Sequence, residues 1–314
     1  MTDIAVVDIE LIADGLEFPE GPVVMPDGSI VVCEIKGQRL TRVAPVPGGG
    51  WGPKEVAATV PGGPNGAALG PDGAIYVCNN GGSLEWHHRG GLTVPGNLAS
   101  THSGGRIERV DLATGAVTVL YRESGGNPLK SPNDLVMDGH GGFWFTDNGT
   151  RTDFTADRTA IHYALVDGSS CIEAIRPVDG PNGIGLSPAG DRIHWAETHT
   201  GRVFSRVLTS PGVVGAAGPL NGIQVGLAGM QFLDSLAMEA NGNVAVATIV
   251  NGGITVVGID GEVEHVRLAE PFRDPITTNI AFGGDDMRTA YITLSGTGRL
   301  VAVRWPRPGL KLAY

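Results

Sequence analysis

Six polar residues recur at equivalent places along the chain, and each opens a short apolar segment that is followed by a turn and a second apolar segment. They are Glu20, Asn65, Asn133, Asn182, Asp234 and Asn279. Two carboxylates and four amides offer only hard oxygen ligands, which suit calcium, magnesium or manganese better than zinc. The pattern therefore predicts a site for one divalent cation if the fold brings these residues together. Calcium is the favoured ion, with magnesium, manganese or zinc as alternatives.

The recurrence itself predicts the fold. Six repeats in 314 residues give a period of about 50 residues, which is typical of propeller blades. The chain contains 49 Gly and 21 Pro, as expected for many short strands joined by tight turns. Each repeat can be divided into four strands, of which the first is assigned to the central channel. We therefore expect an all-β, six-bladed β-propeller that forms a single domain over residues 1–314.

The two ends of the chain predict how the ring closes. The last repeat has no fourth strand, because the chain becomes proline-rich after residues 299–305. Residues 4–13 precede the first repeat and belong to none. We expect this N-terminal segment to supply the missing outer strand of the last blade, since closure removes the exposed edges of an open array.

Composition and charge exclude several partners. The net charge of −11 disfavours a nucleic-acid backbone as a ligand. No apolar run approaches the roughly 18 residues that a membrane span needs, and the N-terminus lacks a signal-peptide pattern. These features predict a cytoplasmic protein with a small-molecule substrate and no membrane partner. The oligomeric state is left open.

A second ring of residues is expected at the rim beside the cation, because each of them directly follows the second strand of its repeat. The ring comprises Glu34, Asn79, Asp147, Glu197, Thr248 and Leu294. Asn79, Asp147 and Glu197 are candidate substrate-binding residues, with solvated rim residues as the alternative. Residues 81–105 form a long insertion on the same rim, and loops of this length are often lids or specificity elements.

Familiar catalytic motifs are missing from the sequence. It contains no Gly-x-Ser-x-Gly nucleophile elbow, no phosphate-binding P-loop and no His-Glu-x-x-His metal motif. The segment 194–199 contains His194, Glu197 and His199, but strand alternation places His194 and Glu197 on opposite faces. It is therefore not a predicted metal cluster.

At these residues the sequence resembles the senescence marker protein/gluconolactonase/luciferin-regenerating enzyme family. The resemblance spans nearly the whole chain and rests on Glu20-Gly-Pro, Ser131-Pro-Asn133-Asp134, Phe145-Thr-Asp147, Pro181-Asn182-Gly183 and Asp234. It implies a six-bladed propeller that holds a divalent metal through Glu20, Asn133, Asn182 and Asp234. Asn65 and Asn279 then become neighbours that contact the substrate or a metal-bound water.

Two departures limit what the resemblance implies. Sugar-lactone members of the family carry an arginine where this chain has Ser131. Diisopropyl fluorophosphatase, a related phosphotriesterase, holds a second calcium partly through an aspartate where this chain has Ala237, and through a histidine in the last blade, where no His follows Asn279. We therefore expect one metal in a gluconolactonase-like protein, and the Ser131 departure weighs against an aldonolactone as the substrate.

Three functions follow as hypotheses. The leading one is metal-dependent hydrolysis of a lactone or related cyclic ester, with the cation polarising the carbonyl. Asp234 would then be the catalytic residue, either activating water or attacking directly. Phosphotriester hydrolysis in the same site is the second hypothesis, and a non-catalytic propeller that binds a metal or ligand is the third.

Overall fold

The structure, a computed structural model, describes residues 2–6, 8–218 and 222–314, and it is an all-β propeller of six blades. From the axis outwards, the strands of blade 1 are Pro19–Val24, Ile30–Glu34, Arg39–Val43 and Glu55–Thr59; those of blade 2 are Pro64–Leu69, Ile75–Asn79, Arg106–Val110 and Val117–Tyr121; and those of blade 3 are Pro132–Met137, Gly142–Asp147, Thr159–Leu165 and Cys171–Val178. These strands pair antiparallel, each with the next along the chain within its blade.

The other three blades repeat this order with additions at their outer edges. Blade 4 consists of Pro181–Leu186, Arg192–Glu197, Arg202–Ser210 and Ile223–Gly226, with Val213–Val214 as a short extra strand; blade 5 of Phe232–Met238, Val244–Ile249, Ile254–Val257, Val263–Leu268 and Thr2–Val6; and blade 6 of Thr277–Gly283, Thr289–Leu294, Arg299–Arg304 and Ile9–Ala13. Two small hairpins lie outside the blades, formed by Leu84–Arg89 with Leu92–Leu98 and by Glu123–Ser124 with Asn127–Pro128.

The first strand of every blade lines the axis, as the sequence predicted. Each one packs against the first strands of the two neighbouring blades, and the chain of contacts closes between blade 6 and blade 1. Six hydrophobic clusters fill the six gaps between neighbouring blades. Trp144 and Trp195, for example, are almost fully buried between blades 3 and 4. Burying a large apolar side chain contributes about 1.5–3 kcal/mol, so these interfaces hold the ring together.

The N-terminal segment closes the ring over a shorter range than expected. Ile9–Ala13 pairs antiparallel with Arg299–Arg304 and supplies the outer strand of blade 6. Thr2–Val6, which was expected to belong partly to the same strand, instead runs parallel to Val263–Leu268 and adds a fifth strand to blade 5. The segment thus covers the outer edges of two blades, and unpaired edge strands are thereby avoided.

Within the residues described, no helix is long and apolar enough to cross a membrane.

Candidate metal centre

The six residues that open the first strands are all buried at the axis. Their exposed fractions are 2% for Glu20, 7% for Asn65, 8% for Asn133, 5% for Asn182, 7% for Asp234 and 5% for Asn279. Polar side chains are rarely buried to this degree without partners, because desolvation must be offset by hydrogen bonds or by a bound ion. Their burial is therefore the feature that has to be explained.

An interruption of the strand pairing positions these side chains. In every blade the register between the first and second strands shifts at the site residue or next to it. Asn65, Asn133, Asn182 and Asp234 lie inside the irregular step. A bulge of this kind turns a side chain out of the usual alternation, and it is common beside functional sites.

Glycines beside the site residues let the blades approach one another. A Cβ atom on Gly66 would lie 2.5 Å from the Cα atom of Asp134, and one on Gly183 would lie 2.4 Å from the amide nitrogen of Leu236. No side chain fits at either position without displacing backbone. The motif Pro-Asn-Gly therefore has a packing role in blades 2 and 4 as well as presenting its asparagine.

Glu20 and Asn279 are joined directly at the closure between blades 1 and 6. The Asn279 Nδ2 group donates to the Glu20 carboxylate over 2.7 Å, and the amide of Gly21 donates to the same oxygen over 2.8 Å. Burial raises the pKa of Glu20 above its ordinary value, while these two hydrogen bonds oppose the shift. The carboxylate is thus held in a fixed place, with its negative charge incompletely compensated.

Asn133 and Asn182 each direct a side-chain oxygen into the protein without a partner. Both Oδ1 atoms are buried, and neither accepts a hydrogen bond among the described residues. The Asn182 Nδ2 group donates to Thr198 Oγ1 over 3.1 Å, so the oxygen of that amide points the other way. An unsatisfied buried acceptor costs about 1–3 kcal/mol. A cation would satisfy both oxygens.

Asp234 completes the predicted ligand set. Burial raises its pKa well above the ordinary value, and the nearby charge of Glu20 raises it further, while a hydrogen bond from Asn182 opposes the shift. These links place Asp234, Glu20 and Asn182 beside one another. A divalent cation between the carboxylates would reverse the shift, because it stabilises their charged forms.

Asp134 also faces this group, although the sequence analysis did not include it. Its side chain is 7% exposed, and its Oδ1 accepts from the amide of Leu135 over 2.9 Å. Burial, with a smaller contribution from the charge of Glu20, raises the pKa of Asp134 to about 8. Strand alternation would direct it away from the axis, but the bulge at Asn133 removes that alternation. A signal was present, since Asp134 stands where Gly21, Gly66 and Gly183 follow the site residue in other repeats.

The donor chemistry fits a hard cation held by mixed ligands. Among the described residues, no three His, Cys, Asp or Glu side chains are arranged to hold a metal by themselves. A cation at the axis would therefore need the amide oxygens of Asn133 and Asn182 together with the carboxylates of Glu20 and Asp234. Such a mixed oxygen set is typical of calcium sites.

The rim residues lie at the ends of the second strands, as predicted, but their polar atoms are engaged by the protein. Asn79 Oδ1 accepts from the amides of Gly63 and Gly81, and its Nδ2 donates to Pro61 O and Glu108 Oε2. All four hydrogen-bonding positions of this amide, two donors and two acceptors, are thereby used. The structure thus gives Asn79 the role of fixing the segment that leads into the axial strand of blade 2.

Asp147 and Glu197 fix the equivalent segments of blades 3 and 4. Asp147 accepts from the amides of Lys130, Ser131 and Gly149 over 2.7–3.0 Å. Glu197 accepts from the amide of Asp179 over 3.2 Å and from Thr200 Oγ1 over 2.9 Å. Both carboxylates hold the backbone that precedes an axial asparagine, and neither is brought into contact with the axial ligands by these bonds.

Comparisons with known proteins agree with this architecture. Residues 18–296 match the SMP-30/gluconolactonase/LRE-like region. A gluconolactonase of Zymomonas mobilis subsp. mobilis is 25% identical over 311 residues, covering 91% of this chain and 79% of that protein.

Two solved structures share the fold. A gluconolactonase from Xanthomonas campestris superimposes with a TM-score of 0.72 at 19% identity, covering 95% of this chain and 89% of that one. The calcium-binding protein regucalcin from Agrobacterium tumefaciens gives a TM-score of 0.72 at 17% identity, covering 99% and 100%. Because the matched region spans most of the sequence, the chain belongs to the SMP-30/gluconolactonase/LRE-like family.

Proposed function

We propose that this protein is a metal-dependent hydrolase of a lactone or a related cyclic ester. The observation that carries the proposal is the pair of buried, unpartnered amide oxygens of Asn133 and Asn182 beside the carboxylates of Glu20 and Asp234. The gluconolactonase relative in the same family supports the choice of a lactone. Glu20, Asn133, Asn182 and Asp234 would hold one divalent cation, calcium being the favoured ion.

The chain's own residues then have separate tasks. When bound, the cation supplies Lewis-acid polarisation of the ester carbonyl. Asp234 accepts the proton of the attacking water, or attacks the carbonyl directly as a nucleophile. Burial raises the pKa of its carboxyl, and a bound cation would favour the charged form. Substrate and proton acceptor are thereby brought together at one place, as ester hydrolysis requires.

The neighbouring polar residues orient the substrate. Asn65 and Asn279 lie in the same axial ring and would contact a small-molecule substrate. Three rim residues position the axial strands without contacting the substrate, because their hydrogen bonds fix the segments that precede those strands. They are Asn79, Asp147 and Glu197. Ser131, two residues before Asn133, offers a hydroxyl that is bonded to Ser83 over 3.1 Å. The small neutral side chain of Ser131 favours lactones other than those formed by sugar acids.

A panel of lactones and phosphotriesters followed by pH-stat tests the proposal. We expect lactone turnover that disappears with chelator and returns with calcium. Asp234→Asn should lower kcat about 100-fold or more, since it removes the proton-accepting carboxylate. Asp111→Asn changes an exposed turn carboxylate of blade 2 and should leave the rate unchanged. Turnover of phosphotriesters alone, or metal binding without turnover of any ester, would contradict the lactonase proposal.

A further inference from the structure

A hairpin of two strands lies over the mouth of the axial channel. Its strands, Leu84–Arg89 and Leu92–Leu98, belong to the insertion between the second and third strands of blade 2. The second strand of blade 2 ends on the rim where the axial strands begin, because neighbouring strands in a blade are antiparallel. The hairpin therefore starts on the same rim as the predicted metal ligands.

An aromatic contact anchors the hairpin beside Glu20. The rings of Trp86 and Phe18 lie 4.8 Å apart between centroids at an angle of 53°. Phe18 comes two residues before Glu20 and packs in one small cluster with Ile35 and Ile276, against which Trp86 rests. Since Ile276 comes three residues before Asn279, this cluster lies directly above the closure between blades 1 and 6.

Phe18 adopts a backbone conformation that requires such support. Its φ is +60°, in the left-handed region that bulky residues rarely occupy. Residues in that region persist when the surroundings hold them, and they cluster at functional sites. Here the surroundings include the Trp86 ring.

The hairpin reaches far around the ring. The Thr93 amide donates to the Gly296 carbonyl of blade 6 over 2.8 Å. Ile249, at the end of the second strand of blade 5, packs in the same cluster as Trp86, and Asn97 Nδ2 donates to Asp153 Oδ1 of the blade 3 insertion over 3.3 Å. Blade 5 stands opposite blade 2 in a ring of six. The hairpin therefore contacts blades 1, 3 and 6, and the apolar cluster on which it rests also includes Ile249 of blade 5, so it extends across part of the mouth.

Glycines flank the hairpin where a hinge would be needed. Gly81 and Gly82 precede it with φ values of +72° and +74°, and Gly104 follows it with +84°. A Cβ atom on Gly81 would lie 2.2 Å from the Gly104 carbonyl oxygen, so the two connecting segments cross closely. The metal ligands beneath are at most 8% exposed. The hairpin borders the route by which a substrate on this rim would reach them.

We propose that the hairpin Leu84–Leu98 is the specificity element of the axial site, with Trp86 as the residue that limits substrate size. This inference rests on the proposed function. Trp86 presents a broad apolar ring on the rim, packed on Phe18 two residues before Glu20, so a substrate that approaches the axis from this rim passes beside it. Esters with long or branched substituents would collide with the hairpin while it is anchored on Phe18.

Two variants test the role of the hairpin. The amide of Ala99 donates to the Ser83 carbonyl over 3.0 Å, so the ends are close enough for an Asn-Gly turn to replace residues 84–98. That replacement and Trp86→Ala should each raise the ratio of kcat/KM for a long-chain lactone to that for an unsubstituted one by at least tenfold. Trp51→Ala removes a tryptophan that packs on Tyr291 in another part of the molecule and should leave the ratio unchanged. Circular dichroism and thermal midpoints verify that each variant folds.

Hydrogen exchange provides a readout that needs no turnover. Peptides covering residues 16–20 and 274–279 should exchange faster when the hairpin is replaced, because its cover is gone. An unchanged selectivity ratio in folded variants would overturn the specificity role, and unchanged exchange would overturn the cover itself. If the wild-type protein hydrolyses no lactone, the proposed function fails, and the exchange comparison still decides whether the hairpin covers the mouth.

Discussion

Two buried side-chain amide oxygens are the main structural support for a metal site. A buried hydrogen-bond acceptor without a donor destabilises the folded state. Among the described residues the axis holds two such acceptors, on Asn133 and Asn182. Nearby carboxyls add to the cost, since burial raises the pKa values of Glu20 and Asp234. A hard divalent cation would compensate for both, because it binds oxygen and balances two negative charges.

Replacing one of these amides should separate its structural cost from its role as a ligand. We expect Asn133→Leu to be as stable as the wild-type protein, or more stable, in the presence of chelator, because it removes an unsatisfied oxygen that costs about 1–3 kcal/mol. Calcium should stabilise the wild-type protein against denaturant but leave this variant unchanged. Urea titrations with and without calcium measure both effects.

The matched control is Asn79→Leu. The Asn79 amide makes four hydrogen bonds, so its loss should destabilise the protein whether or not calcium is present. Equal destabilisation of the two variants in chelator would contradict the idea that the Asn133 oxygen lacks a partner.

At the scale of the strand, the site depends on a bulge that recurs in every blade. Regular alternation would allow only every second residue of an axial strand to face the channel. The bulge instead lets Asp134 face the same group of residues as Asn133. Glycine is required beside the bulge in blades 1, 2 and 4, since the neighbouring blade approaches within contact of the backbone there.

A methyl group added at this contact should disturb the ring. We expect Gly66→Ala to lower the free energy of unfolding by about 1–3 kcal/mol, because the new Cβ would lie 2.5 Å from the Cα atom of Asp134. Gly218→Ala, where no atom of the residues that the structure describes lies within 4 Å of the new Cβ, should change stability by no more than about 0.5 kcal/mol. Equal free energies of unfolding of the two variants, measured with denaturant, would contradict this account. They would show that blades 2 and 3 can move apart to accommodate the new Cβ atom without loss of stability.

The sequence was sufficient to predict the six-fold repeat of blades, but not the strand partners of the N-terminal segment or the roles of individual rim residues. Six equivalent polar residues predicted the axial ring, because a propeller places equivalent positions of its blades around one axis. The division of the N-terminal segment between blades 5 and 6 was not predicted, since both parts have the alternation of an edge strand. Asp134 was not assigned to the site, although it stands where glycine follows the site residue in three other repeats, because regular alternation would direct its side chain away from the axis. The roles of Asn79, Asp147 and Glu197 depend on backbone amides, which no side-chain pattern reveals.

At the scale of the whole molecule, the site exists only when the ring is closed. The proposed ligands come from blades 1, 3, 4 and 5, and Asn279 of blade 6 donates a hydrogen bond to Glu20 across the closure. Ile9–Ala13 completes blade 6 from the other end of the chain. One cation would thus link residues that are up to 214 positions apart in sequence (20 to 234). Binding should therefore stabilise the entire ring, since a ligand that binds only the folded state shifts the unfolding equilibrium.

The most direct test is calorimetric titration of the metal-free protein with calcium. We predict one ion per chain, an affinity that rises with pH because burial raises the pKa values of Glu20 and Asp234, and no binding by Glu20→Gln or Asp234→Asn. Titrations with magnesium, manganese and zinc under the same conditions rank the alternatives. No binding of any of these ions by the folded wild-type protein, or binding that persists unchanged in both variants, would contradict the axial metal centre.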